Sequence, residues 1–320
     1  MNRISHFPFC FFVILLFVKK SFNYILKEVF NMLLADSWKD YELIDCSNGE
    51  KLERWGNTYL LRPDPQIIWD TGSLKNKYNN INSYYHRSDK GGGYWENLKS
   101  TPSSWKIKYK DLTFNIKQMG FKHTGLFPEQ AVNWDFMMEK IEKSNLNIKV
   151  LNLFAYTGGD TVDCLTSGAS VVHVDSSRGM VDWAKENVKS SGLENCEVRY
   201  IVDDVVKFVK REIRRGNKYD AIVMDPPSYG RGSNKEVWNI ETDLYNLVTL
   251  CTEILSEKPL FFIINSYTTG LSKEVFTNIL NLTLGKKYVG KIYSEEIGIP
   301  IKSNNLVLPC GICSRFESYE

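Results

Sequence analysis

Residues 219–230 read YDAIVMDPPSYG, and this stretch decides the fold. Residues 222–224 form a short apolar run that can be buried in a sheet, whereas Pro226 and Pro227 have no N–H and cannot donate a ladder hydrogen bond. The strand is therefore expected to end at Asp225. In an open α/β sheet, ligands bind beyond the carboxyl ends of the strands. The sequence predicts a functional site in the loop that starts at this aspartate.

Strands and helices alternate on both sides of this stretch. The predicted strands are 149–154, 170–175, 197–202, 219–225, 259–265, 289–297 and 306–310, and the predicted helices are 131–142, 160–167, 179–190, 205–215, 241–256 and 273–284. Alternation of this kind indicates an α/β fold with a parallel, doubly wound sheet. Because the last two strands have no full helix between them, we expect an antiparallel hairpin at the C-terminal end.

Residues 32–121 are expected to form a small β-rich domain that precedes the α/β domain of residues 122–320. Asn48-Gly49 is a hairpin signal, and the predicted strands are 41–44, 52–55, 58–61, 66–69, 105–109 and 112–116. Residues 75–122 carry ten lysines and arginines against three acids, with tyrosines and tryptophans between them. This composition fits contact with RNA phosphates and bases, and it equally fits a solvated lysine-rich face.

The first 31 residues differ from the rest of the chain. Residues 7–18 are almost wholly apolar, which is too short for a membrane helix and resembles the apolar part of a signal peptide without its small-residue cleavage pattern. Met32 stands where the composition becomes ordinary. We expect a spurious or weakly structured extension on a cytoplasmic protein, with a membrane-targeting segment as the alternative.

Seven cysteines are scattered along the chain without metal-ligand spacing. Residues 310–313 form the only CxxC, and no second pair completes a zinc site. The sequence therefore predicts reduced thiols, with neither a metal nor a disulfide.

Residues 150–160 read VLNLFAYTGGD, a predicted strand that enters a glycine turn and then a helix. Glycines allow close backbone approach to a ligand, and a helix start offers free N–H groups to an anion. The G-x-G-x-x-G of a nicotinamide enzyme is missing, so an oxidoreductase is disfavoured. Asp175, Asp203-Asp204 and Asp225 end the next three strands. Clustered acids suit the S-adenosylmethionine (SAM) cation, and for any single one of them the alternative is a helix cap.

Residues 122–313 resemble the class I SAM-dependent methyltransferases of the bacterial large-subunit (23S) rRNA group, which includes cytosine-C5 and guanine-N7 enzymes. The matching stretches are KHTGLFPEQ (122–130), NLFAYTGG (152–159), VDSS (174–177), WAKEN (183–187), DPPSY (225–229) and LPCG (308–311). The resemblance implies a Rossmann-like fold with a seven-stranded, mostly parallel sheet, SAM as cofactor and an RNA base as acceptor.

Two groups of site residues are expected. The cofactor group comprises Phe127, Gln130, Phe154, Ala155, Tyr156, Thr157, Gly158, Gly159, Asp175, Ser176, Asp203 and Asp204. The catalytic group comprises Asp225, Pro226, Pro227, Ser228 and Tyr229. In the catalytic group, the aspartate and the proline carbonyls would orient a flat acceptor and the tyrosine would stack on it. Arg231 and Ser266 are expected as secondary contacts.

The methylated atom is predicted to be a base nitrogen, reached by direct transfer. Cytosine-C5 members of the group carry a nucleophilic cysteine just after the fifth strand, where this chain reads INSYTTG (264–270). Cys251 falls in a predicted helix and Cys310 in a C-terminal turn. Two alternatives remain open, namely a cytosine-C5 enzyme and a catalytically silent RNA-binding protein of the same fold. The N-terminal RNA-binding module of longer members is not evident.

Overall fold

The computed structural model describes residues 32–74, 80–88, 92–232 and 236–319. The predicted N-terminal extension, residues 1–31, lies outside the described residues. Within the described ranges, no helix is both long enough and apolar enough to cross a membrane.

The N-terminal part is built from short strands. These are β1 (Met32–Leu34), β2 (Tyr41–Ser47), β3 (Glu50–Trp55), β4 (Thr58–Pro63), β5 (Ser83–Arg87), β6 (Gly93–Asn97), β7 (Trp105–Tyr109) and β8 (Leu112–Ile116). Strands β2 to β6 form a five-stranded sheet in sequence order, and β7 and β8 form a separate hairpin. Strands β5 and β6 were not expected from the sequence, because a polar stretch and a glycine run flank them.

The strand predicted over residues 66–69 is wrong. This segment folds back over the β2–β3 turn, where the Ile67 carbonyl accepts a hydrogen bond from the Gly49 N–H at 2.8 Å and the indole N–H of Trp69 donates to the Cys46 carbonyl at 3.2 Å. Ile67 is buried in the core and Trp69 packs against the same cluster, whereas Ile68 is 91% exposed. Pro65 lies directly before the segment and has no N–H to donate to a ladder.

The C-terminal part is an α/β unit. Its strands are β9 (Lys149–Leu153), β10 (Ser170–Asp175), β11 (Val198–Val202), β12 (Ala221–Met224), β13 (Tyr229–Arg231), β14 (Val237–Asn239), β15 (Phe261–Ser266), β16 (Gly290–Pro300) and β17 (Val307–Ser318). Its helices are α1 (Ala131–Ser144), α2 (Gly159–Thr166), α3 (Arg178–Ser190), α4 (Val205–Arg215), α5 (Ile240–Thr252) and α6 (Lys273–Thr283).

One large sheet organises this unit, in the order β1-β16-β17-β15-β12-β9-β10-β11. All neighbours are parallel except at β17, which runs antiparallel to both β15 and β16. The predicted Rossmann-like, mostly parallel sheet with an antiparallel C-terminal hairpin is confirmed. It has eight described strands rather than seven, because β1 adds to its edge beside β16. The domain division at residues 121 and 122 stays a prediction.

Burial on both faces explains the apolar runs in the central strands. In β12, Ala221 and Val223 pack into one core cluster, whereas Ile222 and Met224 pack into the cluster on the opposite face. Every residue of β15 is buried as well. Strands buried on both faces read as continuous apolar sequence because helices cover the sheet from both sides.

A buried ion pair joins β3 and β4 and reaches the loop that leads to the α/β unit. Arg62 donates to the Glu53 carboxylate from Nε at 2.6 Å and from Nη2 at 2.8 Å, and its Nη1 donates to the Lys122 carbonyl at 2.9 Å. Tyr41 donates its hydroxyl proton to the same carboxylate. Burial alone would raise the pKa of Glu53, but the charges of Arg62 and Lys51 hold it below its usual value.

Replacing Glu53 with Gln leaves the Arg62 guanidinium buried without a counter-ion. We expect a loss of about 3–5 kcal/mol in the free energy of unfolding, measured by urea denaturation at pH 7. Because the folded pKa of Glu53 is depressed, its contribution is present at neutral pH and is lost as the pH falls through that pKa, so the two proteins should converge in acid. Glu139→Gln, which breaks an exposed pair with Lys143, is the control and should cost less than about 1 kcal/mol. Equal effects of the two substitutions would contradict the structural role of the ion pair.

Candidate active site

A strained turn follows β9 at the carboxyl edge of the sheet. Phe154 and Tyr156 have φ values of 53° and 48°, in the left-handed region that non-glycine residues rarely adopt. The Tyr156 N–H donates to Oδ2 of Asp175 at 2.9 Å, and the Ala155 N–H donates to the carbonyl of Val174 at 3.0 Å. Such strain costs about 1–3 kcal/mol per residue and is typical of functional sites.

The two glycines of this turn are required by packing within the protein. Gly158 has φ 80°, and a Cβ added there would lie 2.8 Å from the Cβ of Ala184 on α3. A Cβ on Gly159 would lie 2.9 Å from the Trp134 ring. The neighbours that exclude a side chain here are therefore protein atoms, whereas the sequence suggested close approach to a ligand.

A narrow cavity of about 30 Å³ opens beside this turn. Eight predicted site residues line it, namely Phe127, Gln130, Phe154, Ala155, Tyr156, Thr157, Gly159 and Asp225. Leu126, Trp134 and Asp160 also line it, although none of the three was among the expected site residues. These eight residues therefore converge on one place, although they come from three separate segments of the chain.

Carboxyl groups dominate the charge of the cavity. Burial raises the pKa of Asp225 well above its usual value, and the charges of Asp160 and Glu129 raise it further. Burial also raises the pKa of Asp160 to about 6, against a hydrogen bond of 2.9 Å from the indole N–H of Trp134. In the part of the chain that the structure describes, no basic side chain pairs with either aspartate. The site is short of positive charge and suits a cationic ligand.

Asp175 and Ser176 lie at the end of β10, beside the turn but outside the cavity lining. The Asp175 carboxylate accepts N–H bonds from Tyr156 at 2.9 Å and from Ser177 at 2.8 Å. Each of its oxygens keeps a further lone pair. Asp175 therefore stabilises the turn and can still accept hydrogen bonds from a ligand.

Asp203 and Asp204 have structural partners of their own. Asp204 is the N-cap of α4 and accepts the Lys207 N–H at 2.9 Å. Asp203 forms an ion pair with Arg211. Neither residue lines the cavity, so the helix cap, which the sequence offered as the alternative, describes Asp204. A cofactor role for this pair remains a prediction.

The loop after β12 divides into buried and exposed parts. Pro226 is buried, while the Pro227 carbonyl accepts a hydrogen bond from the indole N–H of Trp238 at 2.7 Å. Trp238 thus takes one of the two lone pairs of the Pro227 carbonyl, which leaves one for an acceptor base. The Ser228 hydroxyl lies 2.7 Å from the Thr268 hydroxyl.

The Tyr229 ring is more than half exposed (54%) at the start of the hairpin formed by β13 and β14. Its hydroxyl accepts from Nε of Arg231 at 3.1 Å. Ser266 is buried and accepts the Thr268 N–H at 3.2 Å. Among these three predicted contacts, Tyr229 and Arg231 are accessible, whereas Ser266 supports the loop after β15.

Tyr267 contacts two residues that line the cavity, although it was not among the expected site residues. Its hydroxyl accepts from Nε2 of Gln130 at 2.6 Å, and its ring packs 5.3 Å from that of Phe127. Asn133 fixes the other end of the Gln130 amide with a bond of 2.8 Å. Because 137 residues separate Gln130 from Tyr267, local sequence patterns carry no signal for this contact.

The two cysteines considered as nucleophiles differ in their distance from the cavity. Cys251 is fully buried in α5, inside the core cluster on one face of the sheet. Cys310 is half-buried on β17 and lines a second cleft of about 200 Å³, which shares Leu126 and Phe127 with the cavity. Only Cys310 therefore lies close to the candidate site.

Gly158→Ala should destabilise the protein more than an alanine at an open glycine. Gly168 is the matched control, because its φ is 88° and nothing lies within 4 Å of an added Cβ. Both substitutions carry left-handed backbone strain of roughly 1–2 kcal/mol, and only the first also forces α3 away from the turn. Thermal unfolding would measure the difference, and equal melting temperatures would contradict the packing argument.

Comparison with known proteins agrees with this geometry. The S-adenosylmethionine-dependent methyltransferase family profile matches residues 53–267. A crystal structure of a SAM-dependent methyltransferase from Agrobacterium tumefaciens superposes with a TM-score of 0.85 and 34% identity, covering 90% of this chain and 93% of that chain. A methyltransferase complexed with SAH has the same fold, with a TM-score of 0.69 and 20% identity over 98% of this chain and 83% of its own.

Curated relatives are longer than this chain. Ribosomal RNA large subunit methyltransferase I of Escherichia coli is 44% identical over 224 residues, which cover 61% of this chain and 55% of that protein. Ribosomal RNA large subunit methyltransferase K/L of Syntrophotalea carbinolica is 27% identical over 183 residues, 57% of this chain and 25% of that protein. The family profile spans well over half of this chain and includes the strained turn, the carboxyl cluster and the loop after β12. This chain belongs to the S-adenosylmethionine-dependent methyltransferase family.

Proposed function

We propose that this protein transfers a methyl group from SAM to an unpaired base of large-subunit ribosomal RNA. The observation that carries the proposal is the cavity at the carboxyl edge of β9 and β12, where carboxyl groups without cationic partners lie beside the DPPSY loop. The substrate class is supported by the names of the two ribosomal RNA methyltransferases that are similar in sequence to part of this chain.

The cofactor contacts follow from charge and from free lone pairs. SAM, when bound, supplies a methyl group activated by a sulfonium. Asp160, in the first turn of α2, would attract the ammonium group at the amino-acid end of SAM. Asp175 keeps one acceptor lone pair on each oxygen for hydroxyl donors, and the rings of Phe154 and Tyr156 would enclose the ligand. Together these groups bind and orient the donor.

The acceptor contacts would come from the loop after β12. Asp225 would accept a hydrogen bond from the acceptor base, with the Pro226 carbonyl as a second acceptor, and the exposed Tyr229 ring would stack on the base. A base in a duplex would first have to leave its stack. Positioning then dominates the rate, because orientation of two reactants can supply about 7–11 kcal/mol of the barrier.

Exposed lysines on the N-terminal part support an RNA partner. Lys106 and Lys108 are exposed on β7 and alternate with buried Ile107, so both point from the same face of the hairpin. Lys99 and Lys117 are exposed nearby in sequence, and Nζ of Lys117 lies 4.0 Å from the centroid of the Trp183 ring. A basic surface of this kind attracts phosphates without reading sequence.

Substitution of two aspartates separates donor binding from transfer. Asp225→Asn should reduce kcat by at least about 100-fold with little change in SAM affinity, because the amide keeps one acceptor oxygen and replaces the second with an N–H donor. Asp160→Asn should instead weaken SAM binding, measured by calorimetry. The assay is transfer of labelled methyl groups to unmodified ribosomal RNA, followed by mass spectrometry of the nucleosides. A wild-type protein that binds RNA and transfers no label would be the silent RNA-binding protein instead.

Carbon methylation is the second candidate, and the position of Cys310 favours it. Methylation of cytosine C5 requires a nucleophile that adds to the ring. Cys310 lines the cleft next to the cofactor cavity, whereas Cys251 is enclosed in the core. Burial raises the pKa of the Cys310 thiol well above its usual value, which disfavours the thiolate and keeps nitrogen transfer as the first candidate.

The substitution Cys310→Ser distinguishes methyl transfer to a base nitrogen from transfer to cytosine C5. Direct transfer to nitrogen predicts activity within about threefold of wild type, since no covalent bond to the enzyme forms, whereas C5 transfer predicts loss of turnover. The control is Cys196→Ser, at a half-buried thiol outside both the cavity and the second cleft. The methylated nucleoside, identified by mass spectrometry, must agree with the kinetic result.

A further inference from the structure

A buried arginine in β17 has no carboxylate partner. Arg315 is buried, and no acidic side chain in the described part of the chain forms an ion pair with it. Its Nη2 donates to the carbonyl of Val132 at 3.0 Å and to Oδ1 of Asn133 at 2.7 Å. A guanidinium has five N–H donors and no acceptor, so every group that it bonds must present an acceptor.

Asn133, in α1, connects Arg315 to two further amide side chains. Its Oδ1 also accepts from the Cys313 thiol at 2.9 Å, so the oxygen faces β17 and Nδ2 must face away from it. This Nδ2 donates to Oε1 of Gln130 and to Oδ1 of Asn265, in both cases at 2.8 Å. Both amides therefore turn their oxygen toward Asn133 and their N–H2 group away from it.

The two amides differ in what their N–H2 groups reach. Gln130 donates to the Tyr267 hydroxyl at 2.6 Å. Asn265 is fully buried, and its Nδ2 has no hydrogen-bond partner among the described residues. A buried donor without a partner is costly, which points to an acceptor close by when the site is occupied.

The register of the large sheet places Asn265 next to Asp225. Strands β12 and β15 are parallel, and their last matched residues are Met224 and Ile264, so the next positions on the two strands are Asp225 and Asn265. The Asp225 N–H still donates to the Leu153 carbonyl at 3.4 Å, so β12 continues its ladder there. Neighbouring strands lie about 4.8 Å apart. The two side chains therefore start from adjacent positions on the face that α1 covers.

The Asp225 carboxyl group can accept this donor and keep an acceptor for a base, because a carboxylate has lone pairs on both oxygens. The titratable groups that face it in the described structure are Asp160, Glu129 and Tyr267. Burial and the charges of Asp160 and Glu129 raise the pKa of Asp225. A hydrogen bond from the Asn265 amide would favour the charged carboxylate and oppose that shift.

We propose that Arg315, acting through Asn133, is a positioning residue that holds the Asn265 amide with its N–H2 group toward the Asp225 carboxylate. Asn265 then fixes this carboxylate in the orientation that receives the acceptor base. The inference rests on the proposed function, because Asp225 is the residue to which the base would bond. It adds a buried polar chain, from β17 through α1 to β15, to the groups on which methyl transfer depends.

The substitution Asn133→Asp tests this chain and keeps the contact to Arg315. The new carboxylate accepts from Arg315 but cannot donate, so the Gln130 and Asn265 amides must turn their N–H2 groups toward it. Asn265 then presents its oxygen to Asp225. We expect kcat to fall roughly 10–100-fold, as for a misplaced catalytic group. The melting temperature should equal or exceed that of the wild type, because Arg315 gains a counter-ion.

The control is Asn281→Asp, which adds the same charge at an exposed position of α6 and should leave kcat unchanged. A wild-type kcat in Asn133→Asp would overturn the proposal. A loss of kcat that follows a fall in melting temperature would also overturn it, since that result describes a purely structural role.

The substitution Asn265→Asp gives a readout that a purely structural role would not change. It keeps the oxygen that accepts from Asn133 and replaces the N–H2 group with a second carboxyl oxygen beside Asp225. Loss of the donor and the added negative charge both raise the pKa of Asp225. Because transfer needs the ionised carboxylate, the acid limb of the kcat profile should move to higher pH by about one unit or more. An unchanged acid limb would overturn the contact.

Carbon-13 NMR of labelled aspartate carboxyl groups measures the pKa of Asp225 without catalysis. If the wild type transfers no methyl group, the proposed function fails, while a higher pKa of Asp225 in Asn265→Asp than in the wild type still supports the contact. If the wild type transfers methyl groups and the pKa of Asp225 is the same in both proteins, the positioning proposal fails and the proposed function stands.

Discussion

The bond between the Asp175 carboxylate and the Tyr156 N–H is the constraint on which the active edge depends. It holds the turn after β9 in a backbone conformation that Phe154 and Tyr156 would not adopt alone. That turn aims the start of α2 at the cavity and places Asp160 beside Asp225. Without this bond, the carboxyl ends of β9 and β12 would still be neighbours in the sheet, but the turn after β9 would not be held close to the loop after β12.

The buried carboxyl groups of this molecule differ in whether a cationic side chain pairs with them. The Glu53 carboxylate accepts two hydrogen bonds from Arg62 and one from Tyr41, and this ion pair has a structural role. The carboxyl groups of Asp225 and Asp160 have no cationic partner among the described residues, and burial raises the pKa of both. Such an arrangement costs stability in the free protein, so it is best explained by a positively charged ligand.

The small sheet forms part of the second cleft. Its strands β3 and β4 supply Lys51 and Arg62 to one wall of the second cleft, while the loop before α1 supplies Glu129 and β17 supplies Cys310. The cleft therefore exists only because the N-terminal strands pack against the α/β unit.

Local sequence patterns predicted most helices and strands of the α/β unit. They also predicted which edge of the large sheet carries the site. Helix α4 was predicted with its observed bounds, and the strand before Pro226 ends at Met224, one residue before Asp225. The helix follows from the periodicity of its apolar residues, and the strand end follows from the missing N–H of Pro226. The edge follows because the carboxyl ends of parallel strands lie on the same side of a sheet. Apolar runs likewise predicted β12 and β15, because strands covered on both faces need no alternation.

Tertiary structure alone decided which polar side chains share the site. Asp204 caps a helix and Asp203 pairs with Arg211, whereas Asp160 lines the cavity, although the sequence pointed to the first two as site residues and not to the third. Glu129 lines the second cleft together with Tyr267 and Cys310, each of which lies more than 130 residues further along the chain. Periodicity describes only neighbours along the chain, and contacts of this range depend on the strand order and on how the small sheet packs.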